Sequence, residues 1–218
     1  MHKSVFLKVL FLLSIGVAAA ACKTTTGASS SGTPILQPGA PGQQTKTINQ
    51  AQATDLSKVG ATAADVKFMQ GMIGHHAQAV EMVALINERT ADPQMKKLGL
   101  RIQVSQEDEM NMMRKWLGDR GAEIPGPHAH HMPGGMMPGM LTDEEMQQLA
   151  DAKGVAFDRL FLRGMIKHHG GALSMVDDLF NSPGAGQEGG IFAFASDVVA
   201  DQKMEIERMG LMLKEITK

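Results

Sequence analysis

The 218-residue sequence has one cysteine, no tyrosine, one tryptophan and eight phenylalanines. A single cysteine excludes disulfides within the chain and zinc sites built from several thiolates. The shortage of aromatic rings argues against base-stacking and sugar-stacking sites. An excess of one charge is also missing, because 21 Lys and Arg balance 23 Asp and Glu for a net charge of -2 at pH 7. This balance excludes a strongly basic protein that binds nucleic acid.

Methionine and histidine are the residues present in excess. The chain contains 18 Met and eight His, so methionine is as frequent as a typical aliphatic core residue. Apolar residues make up 43% of the chain and charged residues 20%, which is ordinary for a globular protein. A chain of this length suffices for one sizeable core.

The first 21 residues have the features of an export signal. Basic residues near the start flank an apolar run at 9–17, and four alanines follow at 18–21. The run is shorter than the ~20 residues of a transmembrane helix, so we predict a signal peptide over residues 1–21. The alanines precede Cys22, which resembles the lipidated first residue of a bacterial lipoprotein, although Ala19 stands where such signals usually carry Leu. Lys23 favours the outer membrane, and the alternative is a soluble exported protein with an inert thiol.

Residues 22–60 are predicted to form a flexible tether. Up to about residue 53 the segment is rich in Thr, Ser, Gly, Pro, Gln and Ala and has almost no bulky apolar side chains. Such a segment buries too little surface to offset the entropy lost on ordering. We therefore expect it to hold a domain at residues 61–218 away from the membrane.

The domain contains an internal duplication. FMQGMIGHH at 68–76 matches FLRGMIKHH at 161–169, 93 residues later. Apolar residues recur every three or four positions in both copies, which predicts amphipathic helices with a His-His pair in the apolar sector. A second repeated helix places Gln106 and Glu109 in the positions of Gln202 and Glu205. Two helical hairpins are therefore present.

Helix boundary signals agree with this division. The predicted starts are a capping box at Thr62 and Asp65, an N-cap and first-turn proline at Asp92 and Pro93, and a capping box at Thr142 and Glu145. A third long helix is predicted at about 155–180 and a last one up to about 216. Neither hairpin buries its apolar face alone. We predict an all-α fold, a ferritin-like antiparallel four-helix bundle from two duplicated hairpins, with a short extra helix and few or no strands.

A loop rich in histidine and methionine, at 125–141, separates the hairpins. Its proline and glycine residues exclude a regular helix. A loop has no packing need for four methionines, so we predict that it captures metal ions, the alternative being an unstructured spacer. The candidate ligands are His128, His130, His131, Met132, Met136, Met137 and Met140.

In the long helices, methionine stands where a carboxylate di-iron bundle carries glutamate. Such bundles use Glu-x-x-His on two helices, whereas this chain has Met-x-x-His at 72–75 and 165–168. Thioether and imidazole donors favour Cu(I), and by extension Ag(I), over iron or manganese. The predicted helical ligands are Met72, His75, His76 and Met82 and, one repeat later, Met165, His168, His169 and Met175.

Four polar residues of the partner helices are predicted to support these ligands. Glu109 and Glu205, with Gln106 and Gln202, are placed to accept the free ring N–H of a ligating histidine. Direct ligation by glutamate would instead favour Cu(II) or Zn(II). The structural alternative is that the methionines only fill the core and that the histidines and glutamates form a buried polar network.

These motifs resemble a known family. FLRGMIKHHGGALSM at 161–175, its copy at 69–82 and the segment 106–117 resemble the bacterial family called domain of unknown function 305 over about residues 65–216. The resemblance implies an exported ferritin-like four-helix bundle, copper binding in some members, and two further ligands, Met113 and Met209. Gly170-Gly171 replaces a more usual polar-Gly pair, which predicts a looser helix. Ile206 stands where the first repeat has Met110, which predicts two sites of different affinity.

We predict a cell-envelope protein that binds Cu(I) or Ag(I) for sequestration or shuttling, with metal ions as its partners and a membrane anchor on Cys22. The sequence contains no nucleophile–base pair, phosphate-binding loop or dinucleotide motif. One alternative is a ferritin-like metal-dependent oxidase, which would need Glu109 and Glu205 as ligands. The other is a structural or partner-binding envelope bundle whose histidines are only hydrogen-bonded.

Overall fold

A computed structural model describes residues 34–37, 44–55, 59–126 and 136–216. The chain divides into two compact units, Met1–Asp55 and Leu56–Lys218. Five predicted functional residues lie outside the described residues, and the roles proposed for them stay predictions. They are Cys22, His128, His130, His131 and Met132.

The described part of the first unit contains three short elements within the predicted tether. Strands β1 (Ile35–Gln37) and β2 (Lys46–Ile48) pair antiparallel, and a single helical turn, α1 (Gln50–Ala53), follows them. The composition did not indicate this hairpin, because strand pairing through backbone hydrogen bonds needs no apolar core. No residue of α1 is buried.

The second unit is the predicted four-helix bundle. Its long helices are α2 (Ala63–Ala84), α4 (Pro93–Gly118), α6 (Val155–Asn181) and α7 (Gly189–Glu215). A short α3 (Ile86–Arg89) continues α2 after Leu85, and α5 (Asp143–Asp151) is the short extra helix. The α2–α4 and α6–α7 hairpins join through the contact between α2 and α6. In the described ranges, no helix is both long and apolar enough to cross a membrane.

The helices begin where their capping residues predict. Thr62 and Asp65 bond reciprocally at the start of α2, and Thr142 and Glu145 do so at the start of α5. Asp92 accepts a hydrogen bond from a first-turn amide of α4. These side chains satisfy backbone N–H groups that have no partner within the helix. The predicted boundaries are therefore confirmed at these three starts.

The bundle core consists of two apolar clusters, one at each end. Between them, along every long helix, lie the polar residues at 75–76, 106–109, 168–169 and 202–205, which we call the central polar layer. The hairpins are antiparallel, so residues that are equivalent in the two repeats lie in opposite clusters. Met72 and Met113 belong to one cluster, with Met175 packed against it. Met82, Met165 and Met209 belong to the other, so each cluster takes methionines from both hairpins.

The end of the loop, residues 136–141, crosses α6 at Gly171. A Cβ on Gly171 would overlap the carbonyl group of Pro138, and a Cβ on Gly139 would overlap the α6 backbone. Gln78 fixes the same segment to α2, because its amide group donates to Leu141 O (2.9 Å) and accepts from Leu141 N (2.8 Å). The looser helix expected at this glycine pair is not what the structure shows. Helix α6 is continuous, and its second glycine permits a close backbone contact.

The glycine pair of α6 offers a matched test of this contact. Gly170→Ala should stabilise the protein by roughly 0.5–1 kcal/mol, because the position is helical and a Cβ there meets no atom within 4 Å. Gly171→Ala should destabilise it by about 1–3 kcal/mol, because the Cβ displaces Pro138. Urea denaturation of the two variants measures the difference. Equal stabilities would contradict the close contact.

Candidate metal centre

Four histidines occupy the central polar layer. His75 and His76 on α2 and His168 and His169 on α6 have no exposed surface. The rings of His75 and His168 stack with centroids 3.8 Å apart and planes inclined by 37°. The ring of His76 lies 6.4 Å from that of His75, and the ring of His169 lies 6.3 Å from that of His168. The structure thus brings both predicted His-His pairs together.

The inner two rings donate hydrogen bonds to backbone carbonyl groups. His75 Nε2 donates to Pro138 O and His168 Nε2 donates to His75 O, both at 2.9 Å. Because a carbonyl oxygen only accepts, Nε2 carries the ring proton in both residues. In a neutral ring the lone pair is then on Nδ1.

The outer two rings donate to carboxylates from the partner helices. His76 Nε2 lies 2.6 Å from Glu109 Oε2, and His169 Nε2 lies 2.7 Å from Glu205 Oε2. A carboxylate in this position fixes the ring orientation and tautomer of a ligating histidine. The predicted pairing of Glu109 and Glu205 with the histidines is therefore present, whatever its purpose.

The two carboxylates have different further partners. Ser105 Oγ donates to Glu109 Oε1 at 3.1 Å, and Arg101 Nε lies 3.6 Å from Glu205 Oε1. Burial raises the pKa of Glu109, but its hydrogen bond to His76, the charge of His76 and the bond from Ser105 outweigh this and lower the pKa overall. Glu109 is therefore a carboxylate at neutral pH.

Burial keeps the inner two rings uncharged. It lowers the pKa of His75 to about 3, with repulsion from His76 acting in the same direction and the bond to Pro138 opposing it. It also lowers the pKa of His168 well below its ordinary value, with further repulsion from the other histidines. Neutral imidazole is the form that binds metal ions.

The Nδ1 atoms of all four histidines are buried and have no hydrogen-bond partner among the described residues. A buried polar atom left without a partner costs about 1–3 kcal/mol. The same part of the chain contains no group of three His, Cys, Asp or Glu arranged to hold a metal ion. The other soft donors beside this layer are the thioethers of the methionines in the two flanking clusters.

The structure places the other predicted residues as follows. Met72, Met82, Met113, Met165 and Met209 are fully buried, in the two clusters described above. Met175 and Met137 are half-buried, Met140 is buried, and Met136 is exposed. Met72 and Met82 thus lie in different clusters although their spacing places them on one helical stripe, and the role of these methionines as ligands stays a prediction.

Gln106 and Gln202 do not bond to the histidines as predicted. Both side chains are buried at 2% exposure, but the oxygens of both and the nitrogen of Gln202 have no partner in the described ranges. The glutamates alone accept the ring N–H groups. Sequence reasoning also missed Pro138, since a backbone acceptor has no side-chain signature. The only sequence signal for it was the glycine pair over which it packs.

The bundle and its central layer define an all-α four-helix protein with buried imidazole and thioether side chains. The chain belongs to the family described as Domain of unknown function (DUF305), which matches residues 65–213. This confirms the resemblance found in the helix motifs. The family description itself assigns no activity.

Known proteins similar to this chain include two with solved structures and one viral protein. A DUF305 protein from Streptomyces coelicolor is 30% identical, with a TM-score of 0.62 over 71% of this chain and 94% of that one. The Cu(I)-bound form of CopM is 26% identical, with a TM-score of 0.56 over 69% and 96%, and CopM has also been solved bound to Cu(II) and to Ag. The mimivirus protein L153 is 41% identical over 56 residues, which span 26% of this chain and 37% of the viral protein.

The buried neutral histidines predict a specific acid sensitivity of the metal-free protein. Their pKa values are lower in the folded than in the unfolded chain, so the stability they contribute is present above pH 6.5 and is lost as pH falls toward 3. Each contributes a slope of up to about 1.4 kcal/mol per pH unit. The free energy of unfolding of chelator-treated protein is measured between pH 6.5 and 5, because most carboxylates do not titrate in that range. His75→Gln, which keeps an N–H donor for Pro138, should flatten the slope, and an unchanged slope would contradict the assignment.

Proposed function

We propose that this protein binds a soft monovalent metal ion, Cu(I) or Ag(I), at the central layer of its bundle, for sequestration or transfer in the cell envelope. The observation that carries the proposal is the set of four buried imidazoles whose Nδ1 atoms have no partner among the described residues. Fully buried methionines lie on both sides of this layer. The donors available to an ion there are nitrogen and sulfur.

The chemistry of these donors favours a soft ion of low charge. Thioethers and neutral imidazoles are soft ligands that select Cu(I) over hard divalent ions. They bring no negative charge of their own, so a divalent ion would be poorly compensated in the apolar bundle. Glu109 and Glu205 lie behind His76 and His169, where they strengthen the ligands without entering the site.

Comparison with CopM supports binding of copper or silver, and the choice of the monovalent state rests on the donors of this chain. CopM shares this fold, and its solved forms include complexes with Cu(I), Cu(II) and Ag. The identity of 26–29% makes the transfer of ligand positions from CopM to this chain a matter for experiment. The fold of this chain and its nitrogen and sulfur donors also favour the binding of copper or silver.

The two alternative functions have weaker support. An oxidase of the ferritin type needs carboxylate ligands, but each glutamate of the central layer is already hydrogen-bonded to a histidine. A purely structural bundle has no use for buried nitrogen lone pairs without partners. A binding protein accounts for both features.

We place this function in the cell envelope. The N-terminal 21 residues have the pattern of an export signal, and the Streptomyces coelicolor relative is provisionally described as secreted. Attachment through a lipid on Cys22 stays a prediction from the sequence. Mass spectrometry of the mature protein purified from membranes tests it directly.

Titration with Ag(I) tests the proposed function without the complication of oxidation. Silver should raise the melting temperature of the wild type, because a ligand at 100 times its Kd stabilises the folded state by about 2.7 kcal/mol. The double variant His75→Gln, His168→Gln keeps a donor for each carbonyl group but removes both Nδ1 atoms. It should lose most of the shift. A wild type that melts at the same temperature with and without Ag(I) would overturn the proposal and favour the structural bundle.

Two methionines of one cluster provide the matched control. Met165 and Met95 are both buried, at 0% and 1% exposure, but only Met165 is a proposed ligand. Leucine at either position should cost less than about 1.5 kcal/mol of stability. Only Met165→Leu should weaken Ag(I) binding, measured by calorimetric titration. Equal affinities in the two variants would exclude this thioether from the site.

A further inference from the structure

Two methionines from separate parts of the chain meet at the protein surface over Gly71. Met137 belongs to the segment that crosses α6, and Met175 belongs to α6 itself. A Cβ on Gly71 would lie 3.4 Å from Met175 Cε and 3.5 Å from Met137 Sδ. Both side chains therefore fill the space that a side chain on α2 would otherwise occupy.

An open pocket of about 250 Å³ exposes these two side chains to solvent. Its apolar wall includes Phe68 and Leu179, and its charged residues are Lys67 and Asp178. Met137 and Met175 are half-buried, unlike the fully buried methionines of the bundle interior. Both side chains therefore line a pocket that is open to solvent.

The other half of the bundle contains an equivalent place that serves as an internal comparison. Gly164 corresponds to Gly71 in the repeat, and Met82 corresponds to Met175. A Cβ on Gly164 would lie 3.2 Å from Met82 Cε and 3.1 Å from Leu141 Cδ2. Leu141 therefore occupies the position at Gly164 that Met137 occupies at Gly71. Met82 and Leu141 are 0% and 6% exposed. Leu141 packs the buried position over Gly164. Packing alone therefore does not require a methionine at Met137, the corresponding position over Gly71.

We propose that Met137 and Met175 form a second binding site for Cu(I) or Ag(I), a surface thioether site distinct from the central polar layer. The inference rests on the proposed function for the identity of the ion. Thioethers select soft monovalent ions, and such ions accept two strong donors with solvent completing the coordination. Asp178, one turn after Met175 on α6, supplies a negative charge that offsets the positive charge of Lys67 in the same pocket.

The surface site is joined to the central polar layer by adjacent residues of the chain. Pro138 follows Met137 directly, and its carbonyl oxygen accepts the hydrogen bond from His75 Nε2 at 2.9 Å. The two proposed sites therefore share one segment of backbone.

Methionine-methyl NMR of the purified full-length protein during Ag(I) titration tests the surface site. The methyl signals of Met137 and Met175 should shift together with the first equivalent, because their thioethers are accessible. Met137→Leu and Met175→Leu should each weaken that step at least tenfold. Met204→Leu is the matched control, since Met204 is 52% exposed on α7 but is far in sequence from both residues, and it should leave every step unchanged.

Gly71→Ala provides a second variant that keeps both sulfurs. The added methyl group makes ordinary contacts with both side chains and suits a helix, so the protein should stay folded. It should still weaken the first step about tenfold, because the methyl group restricts the rotations by which the two side chains turn their sulfurs toward an ion. Unchanged first-step affinity in the two leucine variants and in Gly71→Ala would overturn the surface site.

The central site and the surface site fail in different ways. If the His75→Gln, His168→Gln variant keeps the Met137 and Met175 shifts and loses a later step, both proposals hold. If wild type shows only the Met137 and Met175 shifts, the surface site holds and the central site is wrong. If the leucine variants retain full binding while the histidine variant loses it, the central site holds and the surface site is wrong.

Discussion

The burial of four imidazole rings in one layer of a helical bundle is the constraint on which the rest of the structure depends. Each ring needs an oxygen acceptor for its Nε2 proton, and four different parts of the chain supply them. Helices α4 and α7 supply Glu109 and Glu205, the α2 backbone supplies the carbonyl of His75, and the end of the loop supplies that of Pro138. The acceptors satisfy one side of each ring and leave the other nitrogen buried without a partner in the described residues.

The duplication gives the layer its near-symmetry, and the crossing segment breaks it. His76 and His169 have equivalent acceptors in the two repeats, whereas His75 and His168 do not. His168 donates to the helix backbone, but His75 donates to Pro138, which reaches it only because Gly171 has no side chain. The same segment puts methionine on one side of the bundle and leucine on the other. The two halves therefore differ in access to solvent more than in their buried donors.

Much of the fold was predictable because its signals are local. The reciprocal bonds of Thr62 and Thr142 with residues three positions later depend only on adjacent sequence, and the structure contains both. That Glu109 would accept from a histidine was predicted from the two repeated stripes, but which histidine of the pair it bonds to was not, and the structure assigns it to His76. The distribution of methionines did not follow, because helix periodicity places Met72 and Met82 on one face but does not say which hairpin covers each end. Pro138 was beyond prediction for a related reason, since its carbonyl reaches His75 from 63 residues away.

Nitrogen NMR of the histidine rings during Ag(I) titration tests the central claim most directly. In the metal-free protein, the account predicts four buried rings protonated on Nε2, with the inner two neutral and their Nδ1 atoms bare. On adding Ag(I), Nδ1 signals from the central layer should shift strongly while the Nε2 protons stay in place. Nδ1 signals that do not move when the protein is saturated with silver would contradict the account, whatever ions the surface methionines bind.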